Sequence, residues 1–272
     1  MISMRTIILS ILCNITCLLM YAQSADEYLL MAREKSLSND YIGALEDCNK
    51  AIAMDPKYSD AYLTRAILHS LLQNNNASMK DLQKSLELDP DNYLAYQQRA
   101  LIKYYLNDLK GAIADINNAI KINPNVEHSY ILRGDCKYDL KDNKGAMEDY
   151  NKVISINPEH VKAYFHRGMV KCRFEDFRGA ILDFNIAIKL DSTQSEYYYW
   201  RGLAKKQLLD FVGAIKDFSI AIEINPTYSD AFYSRGISKI YSEELESGCI
   251  DLSKAGELGY MDAYKAIKSK CN

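Results

Sequence analysis

Arg65, Arg99, Arg133, Arg167, Arg201 and Arg235 lie 34 residues apart, and Asp47, Asp81, Asp115, Asp149, Asp183, Asp217 and Asp251 keep the same step. An arginine beside a carboxylate can bind an anion, orient a reacting group or tie two helices together. A catalytic pair has no reason to recur six times, so the structural role is the expected one. Arginine is missing only from the first period, where Met31 stands and no earlier period exists. This absence predicts that each arginine meets the aspartate of the preceding period: Arg65 with Asp47, Arg99 with Asp81, Arg133 with Asp115, Arg167 with Asp149, Arg201 with Asp183 and Arg235 with Asp217. The within-period pairing, Arg65 with Asp81, is the alternative. Lys35, Lys103, Lys137, Lys171, Lys205 and Lys239, with His69 in the gap, follow four residues after the arginine positions. They read as a solvated series whose stems lie on aromatic rings.

Other reactive chemistry is scarce. The chain has no phosphate-binding loop, dinucleotide fingerprint, HExxH or GxSxG. His69, His128, His160 and His166 lack metal-ligand spacing, although His128 and His166 could approach each other across neighbouring periods. No catalytic residue, cofactor or metal is therefore expected. A net charge of −3 lacks the basic excess of a nucleic-acid binder. Cys48, Cys136 and Cys172 fall at helical phases and read as small buried side chains. Cys249 and Cys271 are candidates for a disulfide that would pin the C-terminal segment.

The elements that carry these residues follow from the same period. Pro56, Pro90, Pro124, Pro158 and Pro226 keep it, as do Tyr28, Tyr62, Tyr96, Tyr130, Tyr164, Tyr198 and Phe232. In "VKAYFHRGMVKCRFEDFRGAILDFNIAIKLD", apolar residues recur at helical spacing on both sides of "FEDFRG". Each period thus encodes two short helices, and neither can bury its apolar face without a neighbouring period. The stretch "HSYILRGDCKYDLKDNKGAMEDYNKVISINP" carries Tyr130, Gly134, Ala146, Tyr150 and Pro158 in the pattern of the tetratricopeptide repeat family, which the chain resembles from Ala25 to about Asp262. Arginine stands where that family often has leucine, and Ser247-Gly248-Cys249 replaces Gly-Ala-Ile in the last unit.

The resemblance implies an all-α, right-handed superhelical solenoid of seven helix-turn-helix repeats. These start near residues 25, 59, 93, 127, 161, 195 and 229, and a cap helix follows over 260–271. It further implies a concave groove, lined by the first helix of each repeat, that takes a protein or peptide segment. The candidate groove residues are Tyr104, Tyr105, Tyr138, Phe165, Tyr199, Trp200, Tyr233 and Tyr241. In "SEYYYWRG", Tyr198 belongs to the repeated aromatic series and to the core. Tyr199 faces the groove, Trp200 flanks it, and Tyr197 either pushes on the neighbouring helix or protrudes. The Lys and Asn cluster with which the family clamps a C-terminal carboxylate is not matched.

Residues 1–22 differ from the rest: Arg5 is their only charge, and "TIILSILCNITCLLMY" is an apolar run short of a membrane span. They read as a secretory signal cleaved after Ala22, leaving a periplasmic or extracellular domain over 23–272 with no integral membrane span. The function expected is that of a non-catalytic protein-interaction scaffold in a bacterial envelope. A permanent adaptor subunit of an envelope or secretion complex and a glycan-binding module are the alternatives, and self-association is compatible with each.

Overall fold

The computed structural model describes residues 24–271. The expected signal segment lies outside the described residues. Fifteen α-helices and no strand are found among the described residues. They fall into two compact units that meet at Pro124 and Asn125.

The first unit holds three helix pairs: α1 (Ala25–Leu37) and α2 (Tyr41–Met54), α3 (Ser59–Leu71) and α4 (Asn75–Leu88), α5 (Tyr93–Tyr105) and α6 (Leu109–Ile122). The second holds four: α7 (Glu127–Asp139) and α8 (Asn143–Ile156), α9 (Val161–Arg173) and α10 (Phe177–Leu190), α11 (Ser195–Gln207) and α12 (Phe211–Ile224), α13 (Ser229–Tyr241) and α14 (Leu245–Glu257). The cap helix α15 (Asp262–Lys270) closes it. Within each unit the first helices of neighbouring repeats touch one another as well as their own second helix, and so form an inner row.

The turn inside each hairpin is built the same way seven times. Asn39, Gln73, Asn107, Lys141, Glu175, Leu209 and Glu243 all adopt left-handed backbone conformations, with φ between 59° and 66°. Each ends a first helix by returning backbone N–H groups to its last carbonyls, as Asp40 N donates to Lys35 O and Asn39 N to Ser36 O. The next residue caps the second helix. Asp40, Asp108, Asp142, Asp176 and Asp210 each accept from a glycine N–H three residues on. In the last repeat Glu244 takes this place and makes no side-chain cap bond. Pro56, Pro90, Pro124, Pro158 and Pro226 follow five of the seven second helices and forbid their continuation.

One contact per hairpin sets how closely its two helices approach. In the second unit Gly134, Gly168 and Gly202 face Tyr150, Phe184 and Phe218, and a Cβ on any of these glycines would lie only 2.6 to 2.7 Å from a ring carbon. The aromatic ring occupies the space that a methyl group would need.

Candidate functional site

The arginine series makes its ion pairs inside its own repeat, which corrects the sequence expectation. Arg65 Nε and Nη2 donate to Asp81 at 2.8 and 2.7 Å, and Arg99, Arg133, Arg167, Arg201 and Arg235 grip Asp115, Asp149, Asp183, Asp217 and Asp251 in the same forked geometry. Asp47, Asp81, Asp115, Asp149, Asp183 and Asp217 are therefore not the ion-pair partners of Arg65, Arg99, Arg133, Arg167, Arg201 and Arg235 respectively. The hairpin turn folds the second helix back so that the residue 16 positions on faces the guanidinium. The link to the preceding repeat is made by the remaining nitrogen. Nη1 of Arg65, Arg99, Arg167, Arg201 and Arg235 donates to Asn49, Gln83, Asn151, Asn185 and Ser219, each two residues beyond the preceding aspartate. Met31 stands at this position in the first repeat.

The lysine series also departs from its expected solvated role. Lys103, Lys137, Lys171, Lys205 and Lys239 reach the same aspartates at 2.7 to 2.8 Å, and Lys35 reaches Asp47. Six of the seven buried carboxylates thus receive two cations, which offset the cost of removing the charge from water, while Asp81 has Arg65 with His69 Nε2 3.9 Å away. Burial opposes ionisation of Asp47, yet hydrogen bonds from Lys35 and Lys50 outweigh it and hold the carboxyl below the usual carboxylate range. Every arginine also lies over the repeated aromatic three residues earlier, 5.4 to 5.5 Å from its centroid.

The predicted groove residues divide by exposure. Tyr105 is 75% exposed and packs edge-on against Tyr104 in the first unit. In the second unit Tyr241 is 57% exposed, stacks on Phe211 at 5.3 Å and has Lys270 over its ring. Phe165, Tyr199 and Tyr233 are half-buried in packing. Phe165 meets Tyr197 at 4.8 Å, Tyr199 meets Tyr228 at 4.9 Å, and Tyr233 stacks on Tyr260 at 4.5 Å. Burial pushes the Tyr199 phenol up. Tyr197 is buried against the neighbouring helix, and Tyr198 lies in the core.

Tyr138 and Trp200 instead line a cleft of about 450 Å³ between the C-terminal ends of α9 and α11. Arg173, Glu175, Phe177, Leu203, Ala204, Gln207 and Cys172 complete its wall. The Arg173 guanidinium lies over Tyr138, with its central carbon 3.9 Å from the ring centroid. Cys172, expected in the core, is half-buried here, and burial pushes its thiol up to about 11. Cys48 and Cys136 are fully buried. Cys249 and Cys271 are joined in a disulfide with a Cα–Cα distance of 6.0 Å, which ties α15 to α14.

A polar network escaped the sequence analysis. Tyr150 Oη donates to Asp135 Oδ1 at 2.8 Å, and His166 Nδ1 lies 2.6 Å from the same oxygen. The network satisfies a phenol that is almost wholly buried and whose ionisation burial strongly opposes. The signal was present in Tyr150, the only hydroxylated ring at a position that holds Phe184 and Phe218 in later repeats. His128 and His166 form no metal centre, and no group of three or more potential ligands is placed to hold a metal among the described residues. No helix among them is long and apolar enough to cross a membrane.

A tetratricopeptide repeat family model matches residues 59–92, 93–126 and 127–160 in succession. No curated protein matches the chain in sequence. Among solved structures, YrrB, a tetratricopeptide repeat protein with an unusual peptide-binding site, is 22% identical at a TM-score of 0.59, over 69% of this chain and 97% of its own. A tetratricopeptide repeat protein from Parabacteroides merdae is 18% identical at 0.66, over 92% and 100%. PilF of Pseudomonas aeruginosa is 14% identical at 0.70, over 76% and 94%. Three consecutive repeats over residues 59–160 thus match the tetratricopeptide repeat model, and the same left-handed turn recurs in the helix hairpins on either side of them.

Proposed function

We propose that the protein is a non-catalytic interaction scaffold that holds an apolar or amphipathic segment of a protein partner on the inner row of its second unit. The observation that carries this reading is the density of aromatic side chains there, rimmed by Tyr241 with more than half its surface open. Tyrosine anchors interfaces because it buries a large area at small conformational cost and keeps a hydroxyl for a backbone partner. The three matched tetratricopeptide repeats support the same class of function, as does the likeness in fold to YrrB.

The scaffold works in an oxidising compartment of the bacterial envelope after removal of residues 1–22. The apolar run Thr6–Tyr21 supports export, and the Cys249–Cys271 bridge supports an environment where disulfides persist. Capture from an envelope extract on the chain from Gln23 onward tests the reading, with Tyr241→Ser and Tyr105→Ser compared separately. A protein retained by the parent and by Tyr105→Ser but lost by Tyr241→Ser is the expected result. Equal retention by all three removes the inner row from the reading.

A further inference from the structure

The cleft between α9 and α11 contains a set of groups that an apolar peptide side chain cannot satisfy. Arg173 forms no ion pair among the described residues; its guanidinium lies over the Tyr138 ring and lines the cleft, and it carries five N–H donors. Glu175, a pure acceptor when ionised, lines the same cleft from a turn locked in the left-handed conformation, its backbone N–H bonded to Cys172 O at 3.1 Å. Gln207 offers both a donor and an acceptor. The side of Trp200 forms the apolar wall.

We propose that this cleft is a glycan subsite that takes one or two sugar rings of an oligosaccharide. A pyranose carries hydroxyls that both donate and accept, as the Arg173, Glu175 and Gln207 trio requires. It also has a face of C–H groups suited to the electron-rich face of an indole. The competing occupants fit less well. An anion would gain Arg173 but meet Glu175, and an apolar side chain would strip water from both charges without replacing their hydrogen bonds. A volume of about 450 Å³ lies at the small end of ligand pockets, the right scale for a mono- or disaccharide. Two other recesses among the described residues lack this combination. One, around Met79 and Arg99, has no aromatic side chain, and the other flanks the disulfide. The proposal is independent of the scaffold reading, because the cleft can hold a sugar whether or not the inner row holds a protein segment.

Trp200 is the only tryptophan of the chain, so intrinsic emission reports on this cleft alone. Titrating the full chain with cellotriose, chitotriose and maltotriose should give a saturable change in that emission with at least one of them. The same sugar should slow alkylation followed at the Cys172 peptide, Cys172 being the one half-buried free thiol among the described residues, where Cys48 and Cys136 are buried. Arg173→Ala, at an exposed position, should weaken binding about tenfold or more with unchanged melting. Trp200→Phe should keep the Cys172 protection that Trp200→Ala loses. The proposal is overturned if none of the three sugars gives a saturable response, or if Arg173→Ala binds as the parent does. It is overturned as well if an acidic aromatic peptide, and no sugar, shifts the emission.

Discussion

The two units solve the same packing problem with opposite choices of size. In the first, Ala32, Ala66 and Ala100 face Cys48, Leu82 and Ile116; in the second, Gly134, Gly168 and Gly202 face Tyr150, Phe184 and Phe218. All of these partners are buried almost completely, so the space between the helices is filled in both units while its division between them changes; the last hairpin pairs Gly236 with Leu252 instead. The exchange has a consequence for function. Glycine on the inner helix admits a ring from the outer one, and further rings gather around it: Phe165 against Phe184, Tyr199 against Phe218, His166 against Tyr150. The aromatic cleft, the Tyr150–Asp135–His166 network and the disulfide all belong to the second unit.

The largest effect should come from transplanting the first repeat's solution into the second unit. Arg201→Met copies Met31 and leaves the buried Asp217 with Lys205 alone. A loss of about 2–4 kcal/mol is expected in denaturant unfolding followed by Trp200 emission. A loss below about 1 kcal/mol would mean that the lysine alone neutralises the carboxylate.

Replacing Cys249 and Cys271 by serine opens a link spanning 22 residues. Loop entropy for that length puts the cost near 3 kcal/mol, concentrated in α14 and α15, where hydrogen exchange should accelerate. Exchange in α1–α6 should not change.

The size exchange itself is tested by Gly168→Ala, which should cost about 1–3 kcal/mol because the new methyl group meets the Phe184 ring. Adding Phe184→Leu should recover much of that loss by recreating the pairing of the first unit. Additive losses in the double variant would refute the size-exchange account.

The smallest effect concerns pH. His160 caps α9 by accepting from Ala163 N–H, and burial holds its pKa below the usual value. A lowered folded pKa means that its contribution is complete above the unfolded value, about 6.5, and is lost as pH falls through the folded one. Thermal stability should therefore drop by about 1 kcal/mol or less on acidification across that window, and His160→Asn should abolish this component.

The repeat boundaries, the paired helices and the residues at each turn were legible because they depend on local rules. A 34-residue recurrence places Pro56 or Asn123 at a helix end whatever surrounds it. The sharing of Asp81 by Arg65 and a helical neighbour was harder to read. Period alone makes Asp47 and Asp81 equivalent partners for Arg65, since both sit 16 to 18 residues away. The absence of arginine in the first repeat suggested an ion pair with the preceding repeat, but what Arg65 makes there is a hydrogen bond to the neutral amide oxygen of Asn49. Phe165, Tyr199 and Tyr233 shared the inner-row phase with Tyr138 and Tyr241, and nothing in phase distinguishes a ring covered by its neighbour from an open one.

The sequence by itself determined the all-helical repeat architecture, since hydrophobic spacing, turn residues and prolines act within a single hairpin. Only the tertiary structure decided which carboxylate each arginine grips, which rings are consumed in packing, and that Tyr138, Arg173 and Trp200 converge on one cleft. Those outcomes depend on distances between helices. Such distances are set by the summed volumes of facing side chains, which no single stretch of the chain contains.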